Sequence, residues 1–347
     1  MLRLVLKSAA REPSDHATLM RTILHTLIAL ACMSAAASGA QLPVLRYGQA
    51  YSATNSVYSL PIAIAEREGL FTREGLDFRV VIPVPGGSDK MIHALHDDTI
   101  DVTHVATPFL VRAALAGSDA VAIAAEFNNP IYSLIAHRDI TRIADLKGKL
   151  IGLADPGGSI TVSMRKLLAL NGIREADVRV KTIEGTQARW NCLKRGECVA
   201  VPLGQPQDLL AQSEGFRLLG LSTDAVPQYV YTVTAVRKSW AEANRDLVVR
   251  YVRGLAAAHR TIRDPAQRPL VIKTIVETTG VTPDIAERTI ALYLEPDRKV
   301  LPRQAEIDMA GFAQVIASMG DAGLLKPPLP SADRFVDRQY LRAAGMQ

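Results

Sequence analysis

The stretch LKGKLIGLADPGGSITVSMRKLLALNG, residues 146–172, carries three elements in sequence. Four apolar or small residues, Leu150 to Leu153, predict a short buried strand. Asp155-Pro156-Gly157-Gly158 cannot continue as helix, and an apolar-periodic run then opens at Ser159 and stops at Gly172. A serine hydroxyl accepts from the free amides of a first helical turn, and glycine adopts the left-handed conformation that ends a helix, so the pattern reads Ser159 as N-cap and Gly172 as terminator. Two glycines before the cap leave the amides of the turn open. A helix N-terminus offers unpaired N–H donors and the positive end of the helix dipole. The turn is therefore either a seat for a small anion or an ordinary strand-to-helix connection.

The same order of elements occurs twice in the chain. On the N-terminal side the pattern gives a strand from Val44 to Gly48, a polar loop from Gln49 to Ser56, a helix from Tyr58 to Glu68, and a strand from Asp77 to Ile82. A glycine-rich turn, Pro85 to Ser88, opens a short helix from Asp89 to His96; a strand from Ile100 to His104, a helix from Thr107 to Ala116 and a strand from Ala120 to Phe127 follow. Beyond residue 150 come a strand from Val178 to Ile183, a polar loop, a helix from Ala188 to Lys194 and a strand from Val199 to Leu203. Strands rich in Val and Ile suit a parallel sheet covered on both faces, and right-handed crossovers bring the loops to the carboxyl ends of the strands, where open α/β sheets bind ligands. The expected fold is thus α/β with two lobes, each a mostly parallel sheet flanked by helices. Two extended runs, Ile131 to His137 and Gln228 to Arg237, join the lobes as crossing strands. The expected boundaries are 41–131 and 236–347 for the first lobe and 132–235 for the second. After Ser239 the chain reads as helical, with Leu247, Tyr251, Leu255, Ala258 and Ile262 at helical spacing and further helices near 268–279, 283–294 and 303–320, packing back on the first lobe. The last residues, from Lys326, read as a terminal wrap.

Composition narrows the function classes. Of the formal net charge of +5, Arg3, Lys7, Arg11 and Arg21 against Glu12 and Asp15 place +2 in the first forty residues and leave +3 for the rest. No basic stripe with interleaved aromatics is present, which argues against nucleic-acid partners. From Met20 the sequence runs MRTILHTLIALACMSAAASGA, with one arginine, a short apolar run and a small-x-small ending at Ala40. This has the form of a secretory signal peptide over residues 1–40, with translation starting at Met20. A lipoprotein acylated at Cys32 is the rival processing. In an exported chain Cys192 and Cys198, six apart in NCLKRGEC, either close a small disulfide loop or stay reduced and half-buried. His93, His96, Asp97, Asp98, Asp101 and His104 form the densest group of metal-ligating types, yet they read more simply as a solvated helix end and a strand. No metal and no cofactor is expected.

Four stretches, AEREGLFTREGLDFRVV, GGSDKMIHALHDDTIDVTHV, DLKGKLIGLADPGGSITVSMRKLLALNGI and WAEANRDLV, resemble the periplasmic solute-binding components of ABC importers, in the alkanesulfonate, taurine, nitrate and thiamine-pyrimidine group. The resemblance spans about residues 44–325. It implies the two-lobed type II periplasmic-binding-protein fold and transport of a small-molecule solute. It also implies a monomer that delivers the solute to an ABC permease and its ATPase in the inner membrane. By position it places Tyr51, Ser52 and Asn55, Gly87 and Ser88, Thr107, and Asn128 with Asn129 on one wall of the cleft. Gly158, Ser159, Ile160, Thr161, Thr186, Gln187, Arg189, Gly204 and Gln205 line the other. Arg189 is either a bidentate anion contact or a surface residue of its helix; Tyr51, Tyr58 and Tyr229 either stack on the solute or pack, with Tyr58 favouring packing. The chain departs from the family where Gly-x-x-Asp-Ala leads into the last strand of the second unit: here it reads Gly196-Glu197-Cys198-Val199-Ala200. With that acid gone, the loop PLGQP at 202–206 is expected to recognise an unusual ligand.

No nucleophile elbow, phosphate loop or cysteine-rich iron motif occurs, and GGSDK fails the Walker spacing. Although the fold of this family also hosts a pyrimidine-forming enzyme, the sequence reads as a binding module. A sensor reporting to a membrane receptor is the alternative. Sulfonate, nitrate, a pyrimidine and an aromatic carboxylate stay open as solutes, with glycine-rich helix starts favouring an anion.

Overall fold

A computed structural model describes residues 41–50, 53, 55–82 and 86–346. The expected signal segment, 1–40, lies outside these residues. Among these residues ten strands form two five-stranded sheets. The first contains β1 (Val44–Gly48), β2 (Asp77–Val81), β3 (Val102–Ala106), β4 (Ala120–Phe127) and β10 (Thr232–Arg237), in the order β2-β1-β3-β10-β4. The second contains β5 (Ser133–Ala136), β6 (Leu150–Leu153), β7 (Arg179–Thr182), β8 (Ala200–Leu203) and β9 (Arg217–Leu221), in the order β7-β6-β8-β5-β9. β1 runs parallel to β2 and β3, as β6 does to β7 and β8, while β10 and β5 are antiparallel to both their neighbours. Each sheet is therefore parallel except for the strand that enters it from a crossing segment. Mixed sheets of one order, flanked by helices, are those of the periplasmic-binding-protein fold.

The helices that matter below are α1 (Leu60–Arg67), α2 (Ser88–His96), α3 (Thr107–Leu115), α4 (Ser159–Leu170), α5 (Thr186–Lys194), α6 (Gln207–Ser213), α7 (Arg245–Arg263), α8 (Arg268–Thr279), α9 (Pro283–Leu294) and α10 (Met309–Asp321). The long helix α7 buries Val248, Tyr251, Val252 and Leu255 and packs on α1, with Phe71 pressed on Gly254 and Tyr251 stacked on Tyr47 of β1 and Phe78 of β2. Burial of such side chains is worth about 1.5–3 kcal/mol each and fastens the C-terminal half to the first lobe. β4 ends its sheet, yet AVAIAAEF is buried throughout. Its free edge is covered by later chain: Ala125 N–H donates to Ala305 O at 2.9 Å and Asp337 N–H to Ala122 O at 2.8 Å. Covering an edge satisfies backbone groups that would otherwise pair with another chain.

Three expectations change. Strand β10 is already paired between β3 and β4 at Thr232, so the chain re-enters the first sheet before the expected boundary at 236. The strand Arg217–Leu221 was not anticipated; RLLGL is short and only half-buried, and periodicity does not separate it from a loop. The helix expected at 303–320 begins at Met309. Glu306 accepts from the amides of Arg303 and Gln304 at 2.7 and 2.6 Å, and Asp308 caps the helix through Ala310 and Gly311 N–H, both at 3.1 Å. These carboxylates hold the preceding residues in turns.

Candidate functional site

The parallel strands β6, β7 and β8 end together at one edge of the second sheet, and each is followed by a loop and a helix. The first is the Asp155–Gly158 turn. Asp155 Oδ1 accepts from Gly157 N–H at 2.8 Å, and Gly158 N–H donates to Asp155 O at 3.1 Å. That closed turn makes Gly158 the N-cap, with extended φ −89° and ψ 155°, and carries Ser159 into the helix. Ser159 is thus not the cap expected above. Its hydroxyl and that of Thr161 are both 1 % exposed, and neither finds a hydrogen-bond partner among the described residues. Gly172 does take the left-handed conformation, φ +75°.

Arg189, one turn into α5, is 2 % exposed. Its Nε donates to Pro202 O at 2.7 Å, NH1 to Ile183 O at 3.1 Å and NH2 to Thr186 Oγ1 at 3.2 Å. A guanidinium has five N–H donors, so two find no partner among the described residues, and no carboxylate among them pairs with it. Burial pulls its pKa below the ordinary value. An unpaired buried cation costs several kcal/mol, and an incoming anion offsets that cost. The surface-residue alternative for Arg189 does not hold. Gln187, by contrast, is exposed, and its amide donates to Asn191 Oδ1 at 3.1 Å on the same helix; it stands apart from this group. Cys192 and Cys198 are joined by a disulfide, with Cα atoms 5.5 Å apart, and tie α5 to the start of β8. Trp190, Leu193, Val201 and Leu203 pack around it in a small core of their own.

The third loop, after β8, carries Gly204 and Gln205. Gln205 is 1 % exposed and donates through Nε2 to Asp208 Oδ2 at 2.9 Å. Gly204 lies against the rings of Tyr132 and Tyr58. These belong to a tyrosine cluster that spans both crossings: Tyr58 stacks on Tyr132 with centroids 5.7 Å apart, meets Tyr231 edge-on at 5.2 Å, and the hydroxyls of Tyr132 and Tyr231 are 3.1 Å apart. Burial raises the pKa of Tyr132 and of Tyr231, and the charge of Arg189 opposes it in both. Burial pushes the pKa of Tyr229 up to about 12; its hydroxyl stands near that of Ser159, but the two make no hydrogen bond.

From the first lobe, Thr107 is buried at the start of α3 and donates from its N–H to Tyr231 O at 3.0 Å. Asn128 is half-buried, and Asn129 is buried; both have a side-chain oxygen without a partner among the described residues. Asn129 Nδ2 donates to Pro227 O at 2.7 Å and to Arg298 O at 2.6 Å, linking the two crossings to the segment after α9. Ser88 accepts from Ala106 N–H at 2.9 Å and so binds α2 to β3, with Gly87 as the helix N-cap. Asn55 is exposed, in the left-handed conformation at φ 58°, and serves the turn. Ile160 is half-buried on α4 against the main core. Tyr51 and Ser52 lie outside the described residues. The histidine and aspartate group disperses: His104 Nδ1 faces Tyr47 OH at 2.7 Å inside the first lobe, Asp101 pairs with Arg46 at 2.6 Å, and His96 meets Ser118. No group of three metal-ligating side chains occurs among the described residues. No described helix is long and apolar enough to cross a membrane.

The sequence reading missed Tyr132 and Tyr231. Their signal was present, since IYS and QYVYT put tyrosines on both crossings.

Two mixed sheets joined by two crossings, with buried polar groups converging at the carboxyl ends of the strands, define a periplasmic-binding-protein fold. The chain belongs to the NMT1/THI5-like family, whose model matches residues 56–268, more than half of its length. YtlA of Bacillus subtilis strain 168, named as a binding protein, is 23 % identical over 254 residues, 69 % of this chain and 73 % of its own. Solved structures share the fold. A ligand-binding component of an ABC-type import system from Staphylococcus aureus superposes with a TM-score of 0.71 at 13 % identity, over 87 % of this chain and 99 % of its own. The alkanesulfonate-binding protein SsuA of Xanthomonas axonopodis pv. citri, bound to MOPS, gives 0.67 at 20 % identity, over 87 % and 100 %. The desulfurization enzyme DszB also has this fold, with 0.62 at 16 % identity, over 87 % and 98 %. Fold alone therefore does not separate binding from chemistry.

Proposed function

We propose that this chain is the periplasmic solute-binding component of an ABC importer. It captures a small organic anion, a sulfonate foremost, between its lobes and delivers it to a membrane permease and its ATPase. The observation that carries the reading is Arg189, a buried guanidinium held by two carbonyls and a hydroxyl with no carboxylate partner among the described residues. The unpartnered hydroxyls of Ser159 and Thr161 in the first turn of α4 add neutral donors beside a helix N-terminus. Hydroxyls, helix amides and one arginine bind a sulfonate without a second full charge, and the tyrosine cluster offers faces to an apolar body. Capture follows from closure of the lobes about the two crossings, and the closed form is what a permease recognises. The family match and the similarity to YtlA, named as a binding protein, support this reading, and the fold shared with the Staphylococcus aureus import component and SsuA is compatible with it. The signal-like segment before residue 41 supports export to the periplasm.

The test is thermal unfolding of the purified 41–347 chain against alkyl and aryl sulfonates, nitrate, aromatic carboxylates and pyrimidines. A bound class raises the midpoint, and Ser159→Ala lowers affinity for it about fivefold with little change in the unliganded midpoint. If pyrimidines alone raise it, the anion reading is wrong.

A further inference from the structure

The loop after β8 holds a group that anion binding does not use. Gln205 Nε2 donates to Asp208 Oδ2 at 2.9 Å, and the same oxygen accepts from Ser133 Oγ at 2.6 Å. The other carboxylate oxygen accepts from Leu209 N–H at 2.7 Å. A carboxylate surrounded by donors accepts and does not give, so it must face the NH2 end of the amide. Asp208 thereby fixes the orientation of Gln205 and leaves Oε1 as a buried acceptor with no donor among the described residues. Gln205 sits three residues past Pro202, whose carbonyl holds Arg189, and next to Gly204, which touches Tyr132 and Tyr58. The amide and the carbonyl that holds the guanidinium thus lie on one short segment, residues 202–205.

We infer that Gln205 is a specificity residue: it selects, among small organic anions, those that carry an N–H or O–H donor apart from the charged group. This rests on Arg189 as the seat of the anion. The oxygens of a sulfonate or carboxylate are acceptors and are repelled by Oε1, so the two groups sort the ends of the solute. The charge goes to Arg189 and the donor to Gln205. An analogue with a methyl in place of the donor leaves Oε1 unpaired on binding, and a site built to hydrogen-bond a solute rejects such an analogue strongly.

The experiment is calorimetric titration of the 41–347 chain with isosteric pairs: 2-hydroxyethanesulfonate against propane-1-sulfonate, and 3-hydroxypropanoate against butanoate. The donor-bearing member is expected to bind about tenfold tighter or more. Gln205→Met brings the ratio to about one. Asp208→Asn, which lets the amide turn over, reduces it while keeping Gln205, and serves if the first variant does not fold. Equal or weaker binding of the donor-bearing members, or a preference that persists in Gln205→Met, overturns the inference and leaves the anion seat standing. No binding by any of the four, with Arg189→Met indistinguishable from the parent across the wider panel, overturns the anion reading and the inference with it.

Discussion

Replacing Arg189 with Met separates the cost of holding a cation from the benefit of binding an anion. In the unliganded chain the substitution leaves the carbonyls of Pro202 and Ile183 without donors, at about 1–3 kcal/mol each. It also removes the desolvation of a cation that has no carboxylate partner, several kcal/mol in the opposite direction. The two nearly cancel, so the unliganded midpoint should move by no more than a few degrees. Binding changes far more. Removing one member of a buried charged contact costs about 3 kcal/mol, roughly 150-fold in affinity. At 100 times its dissociation constant a solute stabilises the parent chain by about 2.7 kcal/mol, a rise of about 5 °C at roughly 2 °C per kcal/mol. At the same concentration the variant gains only about 0.3 kcal/mol, under about 1 °C. The assay is differential scanning fluorimetry on both chains, with circular dichroism to verify the fold. Equal solute-induced rises in the two would refute the assignment of Arg189.

Glu126, fully buried beside Tyr47 and Thr234, is pushed up to about 7 from 4.5 by burial. Between those values the folded chain keeps a proton that the unfolded chain has released, so stability falls as pH rises through that window. His104, lowered to about 4, and His259, lowered to about 3, act in the opposite sense: below 6.5 the unfolded chain holds their protons, and stability rises with pH. Glu126→Gln removes the falling branch, and its gain over the parent should grow by about 3 kcal/mol between pH 4.5 and 7 in urea titrations; parallel profiles would exclude the shift. Replacing Cys192 and Cys198 together with serine should cost about 2 kcal/mol for a loop with a separation of six, and dithiothreitol should lower the parent midpoint equally while leaving the double variant unmoved. In Gly311→Ala the new Cβ falls 2.7 Å from the carbonyl oxygen of Tyr229, so backbone must yield; a loss of about 1–3 kcal/mol together with weaker solute binding is expected, and an unchanged affinity would detach Tyr229 from the site.

The elements were legible where apolar periodicity is strong. Ala120–Phe127, Arg268–Thr279 and Pro283–Leu294 have the limits the pattern suggests, because proline, glycine and buried runs bound them. The N-terminus of α4 was misread by one residue. Which residue caps is set by how the preceding turn closes, and the Asp155 side chain decides that by accepting from Gly157. Helical spacing likewise does not say which of Gln187 and Arg189 faces inward. That depends on the carbonyls of Ile183 and Pro202, which come together only after two strands have paired with β6. The amide lock between Gln205 and Asp208 involves Ser133, 75 residues away, and leaves no local trace.

The place of β10 has a consequence for how the molecule is made. Strands β5 to β9 come from one uninterrupted stretch of chain, whereas β10 lies between β3 and β4 and is synthesised after all of them. When β4 leaves the ribosome it has no partner to zip to, since its neighbour in the finished sheet is still unmade. The second lobe can therefore close first, and the first stays split, with two bare strand edges, until Thr232–Arg237 is threaded between them. Long-range pairing of this kind folds slowly and exposes sticky edges meanwhile.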